Sequence, residues 1–270
     1  MAILSATTPP TTDARGRSMF FDYDRAEFRY TPFPIGIAKP VMPDARYGEL
    51  VANFPPVELF ESFEQMGKKG RKFTLSPKEN AKKYNDFVQG NPLWRDFHRW
   101  IKSRDFVYGA LDMLAGHGID LGYRYVAPGL RAVRKAKSVL RGKRAPGYVP
   151  LEARFEFSAL PADGGNLPPH TDAPTKIVTM ILSILEDGEW DQMFGGGTDV
   201  NWPKDETKTF NQMNRVAGFD EMEVLHTYPF TPNQCVLFVK TFNSWHSVAP
   251  MHGPAGRLRR TLTINIEALA

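Results

Sequence analysis

Residues 151–158, Leu-Glu-Ala-Arg-Phe-Glu-Phe-Ser, alternate apolar and polar side chains and mark the point where the hydrophobic pattern of the chain changes. Such a period of two predicts a half-buried strand. Apolar or alternating runs bounded by turn signals such as Thr231-Pro232-Asn233 predict more strands in the residues that follow. These predicted strands span residues 177–185, 223–230, 234–240, 245–251 and 261–266, with a polar insertion at 204–220.

Upstream of residue 120 the pattern is helical. Tyr47, Leu50, Val51 and Phe54 recur at the spacing of one helix face, and Pro55-Pro56 ends the run. Further helices are predicted at residues 57–66, 77–88 (with Ser76 as N-cap), 93–101, and 104–115 (with Ser103 as N-cap). Helices followed by short strands predict a mainly β chain with helical support, an α+β protein in which a β-sandwich or barrel carries helices outside one sheet.

Composition limits the class of protein. The 270 residues are 42% hydrophobic and 24% charged, which excludes a disordered, collagen-like or coiled-coil chain. The lone Cys235 excludes an intrachain disulfide or a cysteine-rich metal site and fits a reducing compartment. The longest apolar run, at 177–185, is too short to span a membrane, and the first residues lack a signal-peptide core. We therefore expect a cytoplasmic protein with no membrane partner and a flexible tail at residues 1–18.

Basic residues are concentrated in one segment. The net charge is +4, yet residues 121–151 carry eight lysines and arginines and no acid. This segment is interpreted as a solvated helix or loop, or as a surface that attracts an anionic substrate. Since no aromatic residue lies between Gly129 and Gly147, we expect no nucleic-acid partner.

The residues with metal-binding chemistry begin at Pro168-Pro169-His170-Thr171-Asp172. A His and an Asp two apart at a strand edge project to the same side and can meet one metal ion, although for this pair taken alone a turn with an exposed His is the better explanation. His246, on a later predicted strand, supplies a second imidazole. Two His and one carboxylate form the facial set of non-haem Fe(II) enzymes. Arg259 and Thr261 share one face of the next strand and would form a receptor for a carboxylate.

Taken together, these residues resemble the Fe(II)/2-oxoglutarate-dependent oxygenases, and within them the prolyl-hydroxylase-like branch. The resemblance rests on His170-Thr171-Asp172, His246, Arg259-x-Thr261 and Gly195-Gly196-Gly197-Thr198, and it covers residues 151–266. It implies a double-stranded β-helix, or jelly-roll, core at about 151–266. The helical half, at about 40–120, matches only loosely as support; with the basic segment at about 121–150 it would complete a single oxygenase domain, 19–270.

The resemblance also implies roles. His170, Asp172 and His246 would be the catalytic iron ligands; Arg259 would pair with the distal carboxylate of 2-oxoglutarate, with Thr261 as its hydroxyl partner. O2 would be the third component, and an unactivated C–H bond of a small-molecule or amino-acid-like substrate would be hydroxylated or desaturated, with succinate and CO2 as co-products. Because the metal carboxylate Asp172 is present, the resemblance favours these reactions over halogenation.

Several alternatives remain open on the sequence. Arg260 competes with Arg259 for the 2-oxoglutarate carboxylate. A jelly-roll metal enzyme without 2-oxoglutarate, and a non-catalytic recognition protein, compete with the oxygenase. His252 is interpreted as a loop residue that could instead touch substrate, and Trp190, Trp202 and Trp245 as core residues that could instead wall the cavity. The other candidate side chains are interpreted as structural: His98, His117, His226 and Cys235.

Overall fold

The computed structural model describes residues 20–125, 129–130 and 149–269. The expected tail at 1–18 and most of the basic segment lie outside these residues, including Arg131, Arg134, Lys135, Lys137, Arg141, Lys143 and Arg144. Within the described residues, no helix combines the length and the apolar character needed to cross a bilayer.

Four α-helices in the described part of the chain form the helical layer. They are α1 (Asp44–Ala52), α2 (Ala81–Gly90), α3 (Pro92–Ile101) and α4 (Arg104–Gly116). The predicted helix at 57–66 is wrong: only a single 3-10 turn, Val57–Leu59, forms before the chain turns into a strand. Helix α2 begins four residues later than predicted, because the side chain of Asn80 bonds back to Ser76 N and Thr74 O and holds a turn there. Helices α3 and α4 form where predicted, and Ser103 caps α4.

Twelve strands are present in the same described residues. They are β1 (Ala26–Arg29), β2 (Ile35–Ala38), β3 (Glu61–Ser62), β4 (Phe73–Leu75), β5 (Leu151–Pro161), β6 (Leu167–His170), β7 (Lys176–Ser183), β8 (Thr198–Pro203), β9 (Met222–Tyr228), β10 (Cys235–Val239), β11 (His246–Val248) and β12 (Leu258–Ala268). The first four interrupt the half of the chain that was predicted to be helical. At two to four residues each they are too short to show a period of two.

The strands form two antiparallel sheets that face each other. The larger has the order β1-β2-β10-β7-β12-β5-β4-β3 and the smaller β6-β11-β8-β9. Apolar side chains of both sheets meet between them, where Val200 and Tyr228 of the small sheet pack against Val236 and Phe238 of the large one. This arrangement is the predicted jelly-roll core with helical support.

The two faces of the large sheet differ in chemistry. Its outer face packs on the helices, as in the contact of Trp94 with Phe157, whose ring centroids lie 4.7 Å apart. On the inner face of β12 the alternating residues are Arg259, Thr261, Thr263 and Asn265. Strand β12 therefore buries apolar residues against the helical layer and presents polar residues to the space between the sheets.

Candidate metal centre

Strand pairing brings the two predicted histidine ligands together. His170 ends β6, His246 begins β11, and the two residues are direct partners in the small sheet. Their ring centroids lie 4.2 Å apart. One ligand atom each from His170, Asp172 and His246 all lie within 4.8 Å of one another. Within the described residues, this is the group of His, Cys, Asp or Glu side chains with the geometry to hold a metal ion.

Backbone carbonyls fix the orientation of both imidazole rings. Nδ1 of His170 lies 2.9 Å from the carbonyl oxygen of Pro168, and Nδ1 of His246 lies 2.9 Å from that of Ser244. Because a carbonyl only accepts hydrogen bonds, each Nδ1 carries a hydrogen, and Nε2 is then the nitrogen whose lone pair can ligate a metal. Hydrogen bonds of this kind orient histidines for metal ligation in known metal sites.

The local charge state suits a metal ion. Burial and the neighbouring His170 lower the pKa of His246 to about 3, so this ring is neutral at physiological pH. Burial alone would raise the pKa of Asp172, but Lys176 and the two histidines outweigh it and hold the pKa well below its usual range. A neutral imidazole and an ionised carboxylate are the protonation states that ligate a metal.

Asp172 is held by contacts on both carboxylate oxygens. Its φ is 71°, in the left-handed region, where Asp is tolerated better than most residues. Lys176 Nζ donates to Oδ1 at 2.6 Å, and Thr179 Oγ1 donates to Oδ2 at 2.8 Å. Oδ1 also lies 3.6 Å from Nε2 of His170. The hydroxyl of Thr179 therefore binds Oδ2, whereas Oδ1 lies on the side of the histidines and accepts from the Lys176 ammonium.

Arg259 lies inside the fold without a carboxylate partner. It is 4% exposed, its Nε donates to the carbonyl of Gly196, and its guanidinium lies 4.8 Å from the centroid of the Phe230 ring. Burial lowers its pKa to about 10, with Asp199 partly offsetting this effect. No carboxylate of the described residues lies within ion-pair distance of it. Buried charges are normally paired, so this position is suited to an anionic ligand.

The neighbouring arginines face elsewhere. Arg260 pairs with Glu189 at 2.7 Å, on the helical side of β12, and Arg257 is exposed. Of the competing arginines, Arg259 is the one that the structure places between the sheets.

Gly196 and Gly197, which the sequence placed at the start of a strand, allow close packing of the backbone beside Arg259 and β9. Gly196 has a φ of 87°, and a Cβ added there would meet Met251 Sδ at 2.9 Å and Arg259 Cδ at 3.2 Å. Gly197 lies against β9, where an added Cβ would meet Thr227 Cγ2 at 2.4 Å. Only glycine accommodates this positive φ and close approach without strain.

Thr261 and two unpartnered polar groups line the same interior. Thr261 is buried and pairs across the sheet with Ser158 of β5 and Ser183 of β7. Ser158 Oγ and Asn265 Nδ2 are the buried side-chain polar atoms of the described residues that have no hydrogen-bond partner. Thr179 Oγ1 also lies 3.1 Å from Oδ1 of Asn265, and whichever end of the amide faces Thr179, the other end is free. Unpaired buried polar groups are costly, so this interior fits a polar ligand between Asp172 and Arg259.

The remaining histidines and Cys235 are not part of the metal-binding group. His252 is exposed, while His98, His117 and His226 pack against aromatic rings. Burial raises the pKa of Cys235 to about 12, which makes it a poor nucleophile. Of the three tryptophans singled out, Trp190 packs on Phe230 beside Arg259, with ring centroids 5.2 Å apart.

Sequence reasoning did not single out several residues that contact the triad or line the interior. Lys176, Thr179 and Asn265 are the clearest cases. The sequence does contain patterns that point to two of them. Thr179 interrupts an apolar strand, and Asn265 lies an even number of residues from Arg259 and Thr261, so the three share one face of β12.

The chain is similar in fold to solved structures of the superfamily that the sequence resembles. A prolyl-4-hydroxylase of Pseudomonas putida is 14% identical with a TM-score of 0.42, and the match covers 87% of this chain and 92% of that one. A prolyl hydroxylase of Trichoplax adhaerens, solved with a hypoxia-inducible-factor peptide, is 11% identical with a TM-score of 0.45, and the match covers 87% and 83%. The α-ketoglutarate-dependent epimerase SnoN of nogalamycin biosynthesis is 13% identical with a TM-score of 0.46, and the match covers 91% and 78%.

Comparison of the amino-acid sequence with known families and proteins gives no match. No family model matches the chain, and no curated protein matches its sequence. At these identities and TM-scores the structural likeness carries no argument about activity, which rests on the side chains of the site itself. By fold, the structures to which this chain is similar include prolyl hydroxylases, an α-ketoglutarate-dependent non-haem epimerase and a member of the 2-oxoglutarate–Fe(II) oxygenase family.

Proposed function

We propose that the protein is an Fe(II)- and 2-oxoglutarate-dependent oxygenase that hydroxylates an unactivated C–H bond of a small-molecule or amino-acid-like substrate. The observation that carries the proposal is the combination of two elements facing one interior. One is the oriented triad His170, Asp172 and His246, and the other is the buried, carboxylate-free Arg259. A metal ion and a dicarboxylate together would satisfy both.

The donor set fits Fe(II). Two imidazoles and one carboxylate on one side of an ion leave further coordination positions open, as in non-haem Fe(II) oxygenases. In the proposal, His170, Asp172 and His246 hold the iron. Iron with 2-oxoglutarate and O2 supplies the oxidising power when bound, and succinate and CO2 are the co-products. The chain supplies the binding, the orientation and a site largely closed to water.

The interior fits 2-oxoglutarate at its other end. The guanidinium of Arg259 would pair with the distal carboxylate, and the hydroxyl of Thr261, on the same face of β12, would donate a second hydrogen bond. Ser158 and Asn265 offer the unpartnered polar atoms between these residues and Asp172. In this proposal the helices and both sheets act as one domain, residues 19–270.

Turnover of 2-oxoglutarate tests the proposal without knowledge of the substrate. We expect purified protein with Fe(II), ascorbate and O2 to form succinate slowly from 2-oxoglutarate, and His246→Ala to abolish this. His252→Ala is the matched control, because His252 is an exposed histidine six residues further along the chain. Absence of succinate in folded, iron-loaded wild-type protein would favour the jelly-roll metal or recognition protein without 2-oxoglutarate turnover.

A further inference from the structure

A partly buried lysine without a carboxylate partner lies at the metal end of the interior. Lys240 directly follows β10, and its backbone N–H donates to Ile177 of β7. By strand alternation it shares the inner face with Phe238, whose ring lies 4.4 Å from the ring of His246. Lys240 Nζ donates to the carbonyl of Thr241 at 2.9 Å, and among the described residues no carboxylate lies within ion-pair distance of it.

A second lysine lies beside the same site. Lys176 contacts Oδ1 of Asp172 at 2.6 Å. Burial, together with the nearby Lys176, lowers the pKa of Lys240, while Asp172 raises it, so the three charges lie close enough to interact. Lys176 is therefore paired with Asp172, while Lys240, whose backbone N–H bonds the residue next to Lys176, has no carboxylate contact of its own.

An exposed aromatic pair adjoins these lysines. Phe242, two residues after Lys240, stacks on Phe210 with ring centroids 5.3 Å apart, and the two are 44% and 71% exposed. The polar insertion that carries Phe210 is tied to the ligand segment, because Asn211 N donates to the Phe242 carbonyl and Thr171 Oγ1 donates to the Asn211 carbonyl. The pair is thus a fixed apolar surface next to the segment that carries His170 and Asp172.

We propose that Lys240, with Lys176 beside it, binds a carboxylate of the substrate, and that the Phe210–Phe242 pair packs against the apolar part of the same molecule. The substrate class is then a small carboxylate with an aromatic or aliphatic body. This inference rests on the proposed oxygenase function and specifies its substrate.

Charge balance favours a carboxylate over a phosphate. Lys176 already pairs with Asp172, so Lys240 is a single ammonium without a carboxylate contact, which suits a monoanion. Arg154, which pairs across the sheet with Asn265 on the inner face, is already held by Glu156 and Glu267, so it is not available for the bidentate contacts that often bind phosphate.

Saturation-transfer NMR on the full-length protein tests the inference with three probes that share a phenyl ring. The probes are 3-phenylpropanoate, 3-phenylpropan-1-ol and phenyl phosphate. We expect wild-type protein to bind the carboxylate at least about fivefold more tightly than the alcohol, and Lys240→Met to remove that preference. Lys204→Met is the matched control, because Lys204 is an exposed lysine whose Nζ also donates only to a backbone carbonyl, that of Asp220.

Two results would overturn the inference. One is equal binding of the carboxylate and the alcohol to wild-type protein, or an unchanged preference in a folded Lys240→Met variant. The other is tighter binding of phenyl phosphate than of the carboxylate, which would assign the site to a phosphate. Each titration is run on metal-free and on Zn(II)-loaded protein. If the protein prefers the carboxylate but forms no succinate, the carboxylate site is supported and the oxygenase proposal fails. If it forms succinate but shows no preference, the oxygenase proposal is supported and the carboxylate site is refuted.

Discussion

Replacing Arg259 by methionine separates the ligand-binding role of this residue from a structural one. Methionine keeps most of the length and apolar surface of the side chain and removes the charge. The lowered pKa of about 10 corresponds to about 3 kcal/mol of unfavourable free energy for the charged guanidinium in the folded protein. Against this, the variant leaves the Gly196 carbonyl unpaired, at about 1–3 kcal/mol, and loses the contact with Phe230, at about 1 kcal/mol.

The expected net change in unfolding free energy is small, between about −1 and +1 kcal/mol, so the ligand-free variant should be about as stable as wild type. Wild-type protein loaded with Zn(II) should gain about 3 kcal/mol from 2-oxoglutarate at 100 times its dissociation constant, and the variant should gain almost nothing. Urea unfolding with and without 2-oxoglutarate measures both quantities.

Arg260→Met is the control for this measurement. It removes a partly exposed ion pair with Glu189 and should cost less than about 1 kcal/mol while leaving the response to 2-oxoglutarate intact. A loss of more than about 3 kcal/mol in Arg259→Met without ligand would show that Arg259 is a structural residue. A full response to 2-oxoglutarate in that variant would refute its assignment to the carboxylate.

Two further predictions concern the residues around the triad. Thr179→Val removes the hydroxyl that occupies Oδ2 of Asp172 and should weaken Mn(II) binding about 10–100-fold in a calorimetric titration, while Thr179→Ser should restore it; unchanged binding in the valine variant would exclude this positioning role. Glu156 gives a pH dependence: burial alone would raise its pKa, but Lys72, Lys176 and Arg154 outweigh this and lower it to about 2. Its contribution, up to about 3 kcal/mol, is therefore present above the unfolded-state pKa of about 4.5 and lost as the pH falls toward 2. Chemical denaturation between pH 7 and pH 3 should show a flatter stability profile for Glu156→Gln, and parallel profiles would contradict the attribution.

Local sequence patterns predicted the core strands well because their signals lie within a few residues. Alternation placed β5, and apolar runs placed β7, β10 and β12. The prediction of a helix at 57–66 was wrong because a long-range interaction, the pairing of β3 with β4, overrides the local helical preference. Strands of two to four residues are too short to show a period of two in the sequence. Strands β1 and β2 are therefore recognised only from their pairing in the structure.

The sequence predicted which residues form the candidate site, but it did not predict the contacts that hold them in place. Spacing alone suggested His170 with Asp172, but the pairing of β6 with β11 that brings in His246 is a long-range register. Lys176 and Thr179 contact Asp172 at a residue with a left-handed backbone conformation, and no local sequence pattern predicts that conformation. The choice between Arg259 and Arg260 depended on which face of β12 meets the small sheet.

An anaerobic titration with Fe(II) and 2-oxoglutarate tests the central claim most directly. A keto acid chelated to Fe(II) gives a visible charge-transfer band, and its appearance requires no substrate. We predict a band in wild-type protein that needs both components, that is absent in Asp172→Ala, that weakens in Arg259→Met and that persists in Arg260→Met. Folded wild-type protein that shows no band at saturating Fe(II) and 2-oxoglutarate would contradict the account, and the triad would then belong to a protein without 2-oxoglutarate chemistry.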